Sequence, residues 1–492
     1  MTSLLAKIRG RWRNTVRIAT IDAAQAAPPP SPLAPIDLTD SSQVTGVMDI
    51  AARIGDILLS SGTANRDAKA QLHAVMSSWG LHYVHVDVSK TTITMHASIG
   101  TQRRQPLVIF RVIRGLDTDF SKLSEVDRLI RSIRAGATTP EVAAKILAEL
   151  EAKPANYGAK MAVLGWGLFG GAVTLTLGGD ALAVVIAAIM GTVITALNTY
   201  LGRNGLPAFF QQIIGGVIAT VPAALLYNFA GYLGVPVSPS QIIASGIVVL
   251  VAGLSLTQSL QDGIMGASAT GAARFFETIL MTAGIVAGVA MGIQVAETLG
   301  FALPPLETQA PPNFSSLLVR LLGAGLICTG FAIAMFAERS AVVVAFFAAL
   351  FGMSFYYLVF TPLGVGGVAA AALTATIIGL SGGLLSRRFL IPPVITTISG
   401  ITPMLPGLML YRSMYALVQD QMLVGFTNLF VALATAGALA AGVVLGEWIA
   451  RRIRRPQVFR PYAALKAARR HAFQPFPRPG RAPRRVRRKP GS

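Results

Sequence analysis

IIASGIVVLVAGLSLTQSL, residues 242–260, and IPPVITTISGITPMLPGLML, residues 391–410, decide how this chain folds. Each is apolar along most of its length, and about 20 such residues cross a ~30 Å hydrocarbon core as a helix. Each is also interrupted in the same way. A Ser-Gly pair, Ser245-Gly246 or Ser399-Gly400, is followed by a second glycine, Gly253 or Gly407. Helices broken at membrane depth free backbone groups, which must then be met by protein or by a bound solute rather than by lipid.

The two stretches share a register 154 residues apart, and the register extends beyond them. Pro239 matches Pro393, and Ser245, Gly246 and Ile247 match Ser399, Gly400 and Ile401. Gly253, Leu254, Leu256 and Ser259 match Gly407, Leu408, Leu410 and Ser413. Gly271 and Phe276 match Gly425 and Phe430, while Ala287, Gly288, Val289 and Gly292 match Ala441, Gly442, Val443 and Gly446. Fourteen of the 54 positions from 239 to 292 are identical across the offset.

Ten apolar spans surround this register, at about 159–178, 181–201, 208–233, 240–261, 271–297, 314–337, 340–360, 363–386, 391–417 and 424–450. The chain is 13% charged, well under the ~25% of soluble proteins, and the deficit is concentrated in this region. Arg203, Asp262 with Arg274, Arg339, and Arg387 with Arg388 fall in loops on one side, whereas Asp180, Glu297, Glu307 and Asp420 fall on the other. Arg412 alone sits near the outer end. Basic residues collect on the cytoplasmic side of membrane proteins, so both chain ends are expected there, in a bacterial plasma (inner) membrane. The offset maps the first span onto the sixth. Each repeat, 159–297 and 314–450, then has five spans, and an odd number forces the second to cross in the opposite sense. The expected fold is a polytopic α-helical membrane protein with two inverted five-helix repeats, an architecture of many secondary transporters.

The flanks read differently. Residues 1–43 are basic, then Ala/Pro-rich, and no secretory apolar core is seen. Residues 44–153 read as a soluble cytoplasmic α/β domain. Helices are expected from Val44 to Gly62, from Ala64 to Trp79, from Ser121 to Arg134 and from Pro140 to Leu150. Strands are expected at His82–Val88, Thr91–Ser98 and Pro106–Ile113, forming a β-meander. The net charge of +20 comes mostly from residues 451–492, which hold fifteen Lys or Arg and no acid. Such a tail is expected to be disordered and to attract anionic lipid. No stacking aromatics accompany it, so no nucleic-acid partner is expected. The single Cys328 excludes an internal disulfide.

A substrate site is expected at the paired breaks, with Ser245, Gly246, Gly253, Ser259, Thr397, Ser399, Gly400, Gly407 and Ser413 as its residues, and Thr257, Thr396 and Thr402 as further hydroxyls nearby. Freed N–H groups suit a carboxylate and freed carbonyls an ammonium. Asp262, Arg274 and Glu277 are the charged residues nearest the membrane interior, and gating or proton coupling is expected of them. Close helix packing is the competing explanation for each small residue, and mutual pairing for the charges. The chain has no phosphate-binding Gly-x-x-x-x-Gly-Lys loop, so it is not its own ATPase. No catalytic, metal or cofactor site is expected. His73, His82, His85 and His96 leave room for a hydrolase reading of the N-terminal domain, with His82 and His85 on opposite faces of a strand.

Several segments resemble the threonine/serine exporter family. ARIGDILLS (52–60) with Gly62, the run Thr92–His96, and LSEVDRLIRSIRAG (123–136) resemble its N-terminal domain. AGLSLTQSLQDGIMGASATGAARFFET (252–278), with Gly253, Asp262, Gly266 and Gly271, resembles a membrane signature of the family. LPGLMLYRSMYAL (405–417) resembles its counterpart in the second half. Ala252 stands where the family often has proline. The resemblance covers residues 45–450 and implies ten spans with export of threonine and serine coupled to the proton motive force. Substrate range, stoichiometry and any homo-oligomer stay open at this point, and a membrane-anchored hydrolase or regulatory protein is the alternative. Labelling is expected to find both chain ends on one side of the membrane. Ends on opposite sides would leave the five-plus-five topology without support.

Overall fold

In the computed structural model, the described residues are 36–453, apart from 38–39, 100–104, 114–117, 156, 233–238, 251 and 302–315. The expectations for residues 1–35 and for the tail beyond Ile453 lie outside the described residues.

The N-terminal part is an α/β layer. Helices α1 (Ser41–Ser60) and α2 (Asn65–Ser78) precede strands β1 (Val84–Val88), β2 (Thr92–Ile99) and β3 (Gln105–Val112), and α3 (Phe120–Arg134) and α4 (Pro140–Ala152) follow. The strands pair antiparallel in the order β1-β2-β3. Their alternation sets the faces. Val84, Val86, Ile93 and Met95 are buried against the helices, while His85, His96, Val108 and Phe110 face outward. His82 lies ahead of β1 rather than within a strand. Helix α3 starts one residue before the expected Ser121. Its N-cap is Asp119, whose carboxylate accepts from the Ser121 and Lys122 N–H groups at 2.9 and 3.1 Å. Gly62 stops α1 in the left-handed region at φ +84°, a conformation glycine adopts without Cβ strain.

Helices α5 (Ala159–Thr176), α6 (Ala181–Arg203), α7 (Ala208–Tyr232), α8 (Pro239–Val249), α9 (Ala252–Ile264) and α10 (Ser268–Thr298) come next. They are followed by α11 (Leu317–Ala334), α12 (Arg339–Phe355, continued by a π-turn), α13 (Gly367–Phe389), α14 (Pro393–Ile401), α15 (Gly407–Val418) and α16 (Met422–Ile453). Eight of these are long and apolar enough to cross a membrane. The pairs α8/α9 and α14/α15 bend by 46° and 45°, giving ten spans if each pair counts as one. The bends fall at the second glycines, Gly253 and Gly407, whereas Ser245-Gly246 and Ser399-Gly400, also expected as breaks, lie inside α8 and α14.

The halves repeat one another in packing. In the first, α5 packs on α6, α7 on α10, and α9 on α10; in the second, α11 packs on α12, α13 on α16, and α15 on α16. Glycine sets the closest of these contacts. A Cβ on Gly288 would strike the Ile213 carbonyl oxygen, and a Cβ on Gly442, 154 residues on, would strike that of Ala372. Without a hydrophobic drive between helices in lipid, such close backbone approach is a main source of association energy. Between the halves, α5 and α11 run antiparallel: Gly165 lies against Ala334, Gly330 against Phe169, and Gly323 against Thr176. Contacts of α9 with α16 and of α10 with α15 are reciprocal.

The layer is not separately cored. Phe120 of α3, Phe331 of α11, and Trp166 and Phe169 of α5 form one aromatic cluster with centroids 5.3–6.4 Å apart. The Phe120 N–H donates to the Met335 carbonyl at 2.9 Å.

Gly288→Val and Gly442→Val are each expected to lower stability by about 1–3 kcal/mol through overpacking, read as a lower melting temperature of detergent-solubilised protein. Gly437→Ala, where an added Cβ meets only Leu260 at 4.0 Å, is the control and should not lower it.

Candidate functional site

The breaks meet each other. A Cβ on Gly253 would lie 2.6 Å from the Gly407 nitrogen and 2.9 Å from its Cα, and one on Gly407 would lie 3.2 Å from the Gly253 nitrogen. Equivalent positions of the two halves are thus in direct backbone contact. The N-terminal ends of α9 and α15 come together there. Each end carries unpaired N–H groups and a partial positive charge, a combination that attracts a carboxylate.

The expected small residues divide by what they touch. Ser245 donates to the Gln241 carbonyl at 2.8 Å and lies 2.5 Å from the Thr174 hydroxyl. Thr257, Thr397 and Thr402 donate to the carbonyls of Gly253, Pro393 and Ile398 at 2.8–3.0 Å. Ser259 and Ser413 donate to Leu256 and Gly425 at 2.7 and 2.8 Å. Gly246 and Gly400 pack against Ala219 of α7 and Ile378 of α13. Ser245, Ser413, Gly246 and Gly400 thus join neighbouring helices, Thr257, Ser259, Thr397 and Thr402 bond within their own, and Thr396 is buried beside them. Ser399 differs: its Oγ is buried with no protein partner, as is the hydroxyl of Tyr411 on α15. Tyr411 was not singled out from the sequence. Its signal was a tyrosine set mid-helix in the LPGLMLYRSMYAL segment.

The charged trio separates. Asp262 ends α9, the unfavourable end of a helix for an anion. Arg274 of α10 compensates it at 3.3 Å, and both are buried. The Arg274 guanidinium also reaches Gln258 at 3.5 Å. Glu277 points elsewhere and pairs with Lys90 of the α/β layer.

The layer covers this region. Gly62 lies against Gln258 of α9 and Ile398 of α14. The Asn65 amide donates to Thr270 of α10 at 2.9 Å. Arg128 pairs with Glu338 just before α12, and Asp67 lies 3.5 Å from Arg451 of α16. The turn between α1 and α2 therefore sits on both halves at once.

One buried acid escaped the sequence reading. Glu447 of α16 is 7% exposed, 3.7 Å from Arg451 and within hydrogen-bonding reach of Thr397 on the broken α14. It stands four residues before the basic run that starts at Arg451.

Beside the layer opens a cavity of about 1130 Å³, walled by α1, α3, α5, α6 and the end of α11. Asp56, Asp119 and Glu151 face Arg111, Lys122, Lys153 and Arg203 around it. Hydrogen bonding from Arg53 holds the Glu151 carboxyl below its ordinary value, so it stays charged at neutral pH.

The sequence pattern of the family described as putative threonine/serine exporters matches residues 49–296, and that described as threonine/serine exporter, ThrE, matches residues 320–449. The gap between them falls between α10 and α11. The chain is 60% identical over 458 residues to a threonine/serine exporter of Corynebacterium glutamicum, covering 93% of each chain. It is 35% identical over 422 residues to a probable threonine/serine exporter of Mycobacterium tuberculosis, covering 84% of this chain and 78% of that one. No solved structure matches.

Asp262→Asn is expected to destabilise the purified protein by about 3–5 kcal/mol, because it leaves Arg274 buried and uncompensated. Glu277→Gln, which loses a half-exposed pair, should cost less than about 1 kcal/mol. Equal losses in thermal unfolding would show that the Asp262–Arg274 pair is no more than a surface contact.

Proposed function

The chain belongs to the threonine/serine exporter family, and from that premise we propose that it carries threonine and serine out of a bacterial cell by proton-coupled alternating access. The observation that carries this reading is the backbone contact of Gly253 with Gly407. It brings two helix N-terminal ends together, where the carboxylate of an amino acid is favoured, and the unpartnered Ser399 and Tyr411 hydroxyls lie on the second of the broken helices, on α14 and α15. The antiparallel packing of α5 on α11 and the reciprocal contacts between halves support an inverted repeat. Two such halves have two near-equivalent arrangements, open to opposite sides.

The α/β layer is the cytoplasmic domain in this reading and acts as a gate. It bridges both halves through Asn65, Lys90, Arg128 and Asp67 and rests its Gly62 turn on α9 and α14. The Asp262–Arg274 pair beneath it is the lock on that side. Opening to the cytoplasm separates these contacts.

Coupling follows from energetics. A zwitterion has no net charge, so the membrane potential does no work on it, and uphill export needs an ion. One proton entering gains about 2.3 kcal/mol per 100 mV, enough for a roughly forty-fold gradient at ~1.4 kcal/mol per decade. Asp262 is tied to a buried arginine and Glu277 to a lysine. Glu447 is the better proton carrier: a buried membrane carboxylate touching broken α14, with Arg451 and Asp67 as its charged neighbours. Acids buried in membrane helices are costly and mark proton paths.

In vesicles containing the purified protein, an imposed proton gradient should drive threonine uphill, and an ionophore should stop this. Glu447→Gln should retain threonine exchange and lose uphill transport. Accumulation that persists in the variant would remove Glu447 from the coupling step. Wild-type vesicles that leak threonine only downhill would replace the antiporter with a channel.

A further inference from the structure

A second cavity adjoins the charged one. It occupies about 280 Å³ between α5, α6, α7 and the end of α8, and Trp166, Thr195, Asn198 and Thr199 line both. Its volume lies at the small end of ligand sites, which run from ~300 to 1,000 Å³. That suits a single small solute. None of its lining residues is charged, in contrast to the cavity outside.

Its polar groups are unevenly used. Thr195 and Thr199 donate to backbone carbonyls of their own helix, and the Gln211 amide donates to the Leu206 carbonyl at 2.7 Å. Two acceptors remain. The side-chain oxygens of Asn198 on α6 and Gln212 on α7 are buried and have no protein partner. Leaving a buried acceptor unmet costs about 1–3 kcal/mol, so two in one recess call for a donor. Val249 and Leu250 close the recess. They lie at the C-terminal end of α8, where the last carbonyls lack helical partners and carry partial negative charge. Val249 is held there by packing against Gly170 and Gly191, where a Cβ would come within 3.2 and 3.3 Å of it.

We propose that this recess is a binding site for the ammonium end of a small amino acid of zero net charge, on its way from the outer cavity to the helix break. An ammonium brings three donors and a positive charge to a wall of unused acceptors and a negative helix end. With no charged side chain in the wall, a solute of net charge finds no counterion, while a zwitterion needs none. The inference rests on the export reading for the identity of the solute, but not for the chemistry of the recess.

The test uses the full chain, as wild type and as Asn198→Leu, Asn198→Ser and Gln212→Leu. Radiolabelled threonine binding is measured in detergent and transport in vesicles. Competition is measured against 2,3-dihydroxybutyrate, which lacks the ammonium. The expected result is a threonine affinity at least ten-fold weaker in the leucine variants, with the preference for threonine over the hydroxy acid largely lost. Asn198→Ser, smaller and still polar, should lie between and guards against misfolding of the leucine forms. If wild type transports threonine and all three variants bind it with unchanged affinity and preference, the recess inference is wrong and the export reading stands. If wild type binds threonine, with binding lost in the variants, but moves none, the export reading falls and the recess remains. If wild type neither binds nor moves threonine, both are overturned.

Discussion

Two glycine backbones touching at the centre of the helical bundle is the contact on which the rest of this structure depends. At Gly253 and Gly407 no side chain can be added without displacing the opposite chain. The bend in each broken helix exposes backbone N–H and C=O groups, and at membrane depth those must be satisfied inside the protein. Their mutual approach encloses the two freed helix ends between the halves, where a bound solute can meet them. The long helices then pack around the bent ones through further glycines, such as Gly288 and Gly442, whose positions in the two halves correspond. The absence of a side chain at these points lets the helices that carry them come into backbone contact.

Much of this architecture was legible before any coordinates, because membrane helices obey a simple length rule and the repeat is written in paired residues. The breaks fell at Gly253 and Gly407 but not at the Ser-Gly pairs, which stay helical, and the α/β layer kept its expected order of helices and strands. Where reading failed, the reason was local. Asp119 caps α3, yet a residue ahead of the periodic run looks like loop. The hydroxyls at the breaks looked alike in sequence, and only geometry separates Ser399, which is unpartnered, from Ser259 and Thr257, which bond to their own helix. Glu447 looked like part of a helix end because basic residues follow it. Its burial depends on α14, which lies about fifty residues earlier in the chain.

Charge in this protein is arranged in tiers. The outer cavity carries both signs, the inner recess carries none, and the buried pair Asp262–Arg274 sits under the turn that covers both halves. A low-dielectric interior makes an isolated charge expensive, so single charges would obstruct a neutral solute as much as attract it. Pairing them removes that obstacle while leaving groups whose separation can be linked to movement of the layer.

The aromatic cluster of Phe120, Trp166, Phe169 and Phe331 also bears on how the chain is made. Phe120 leaves the ribosome some two hundred residues before Phe331, and its N–H bond to Met335 cannot form until that segment has been threaded into the bilayer. While the intervening residues are made, the layer therefore presents an unfinished apolar face. Long-range closure of this kind is slow and leaves sticky surface exposed while it waits. Insertion of the second half is in this sense the last step in folding the first.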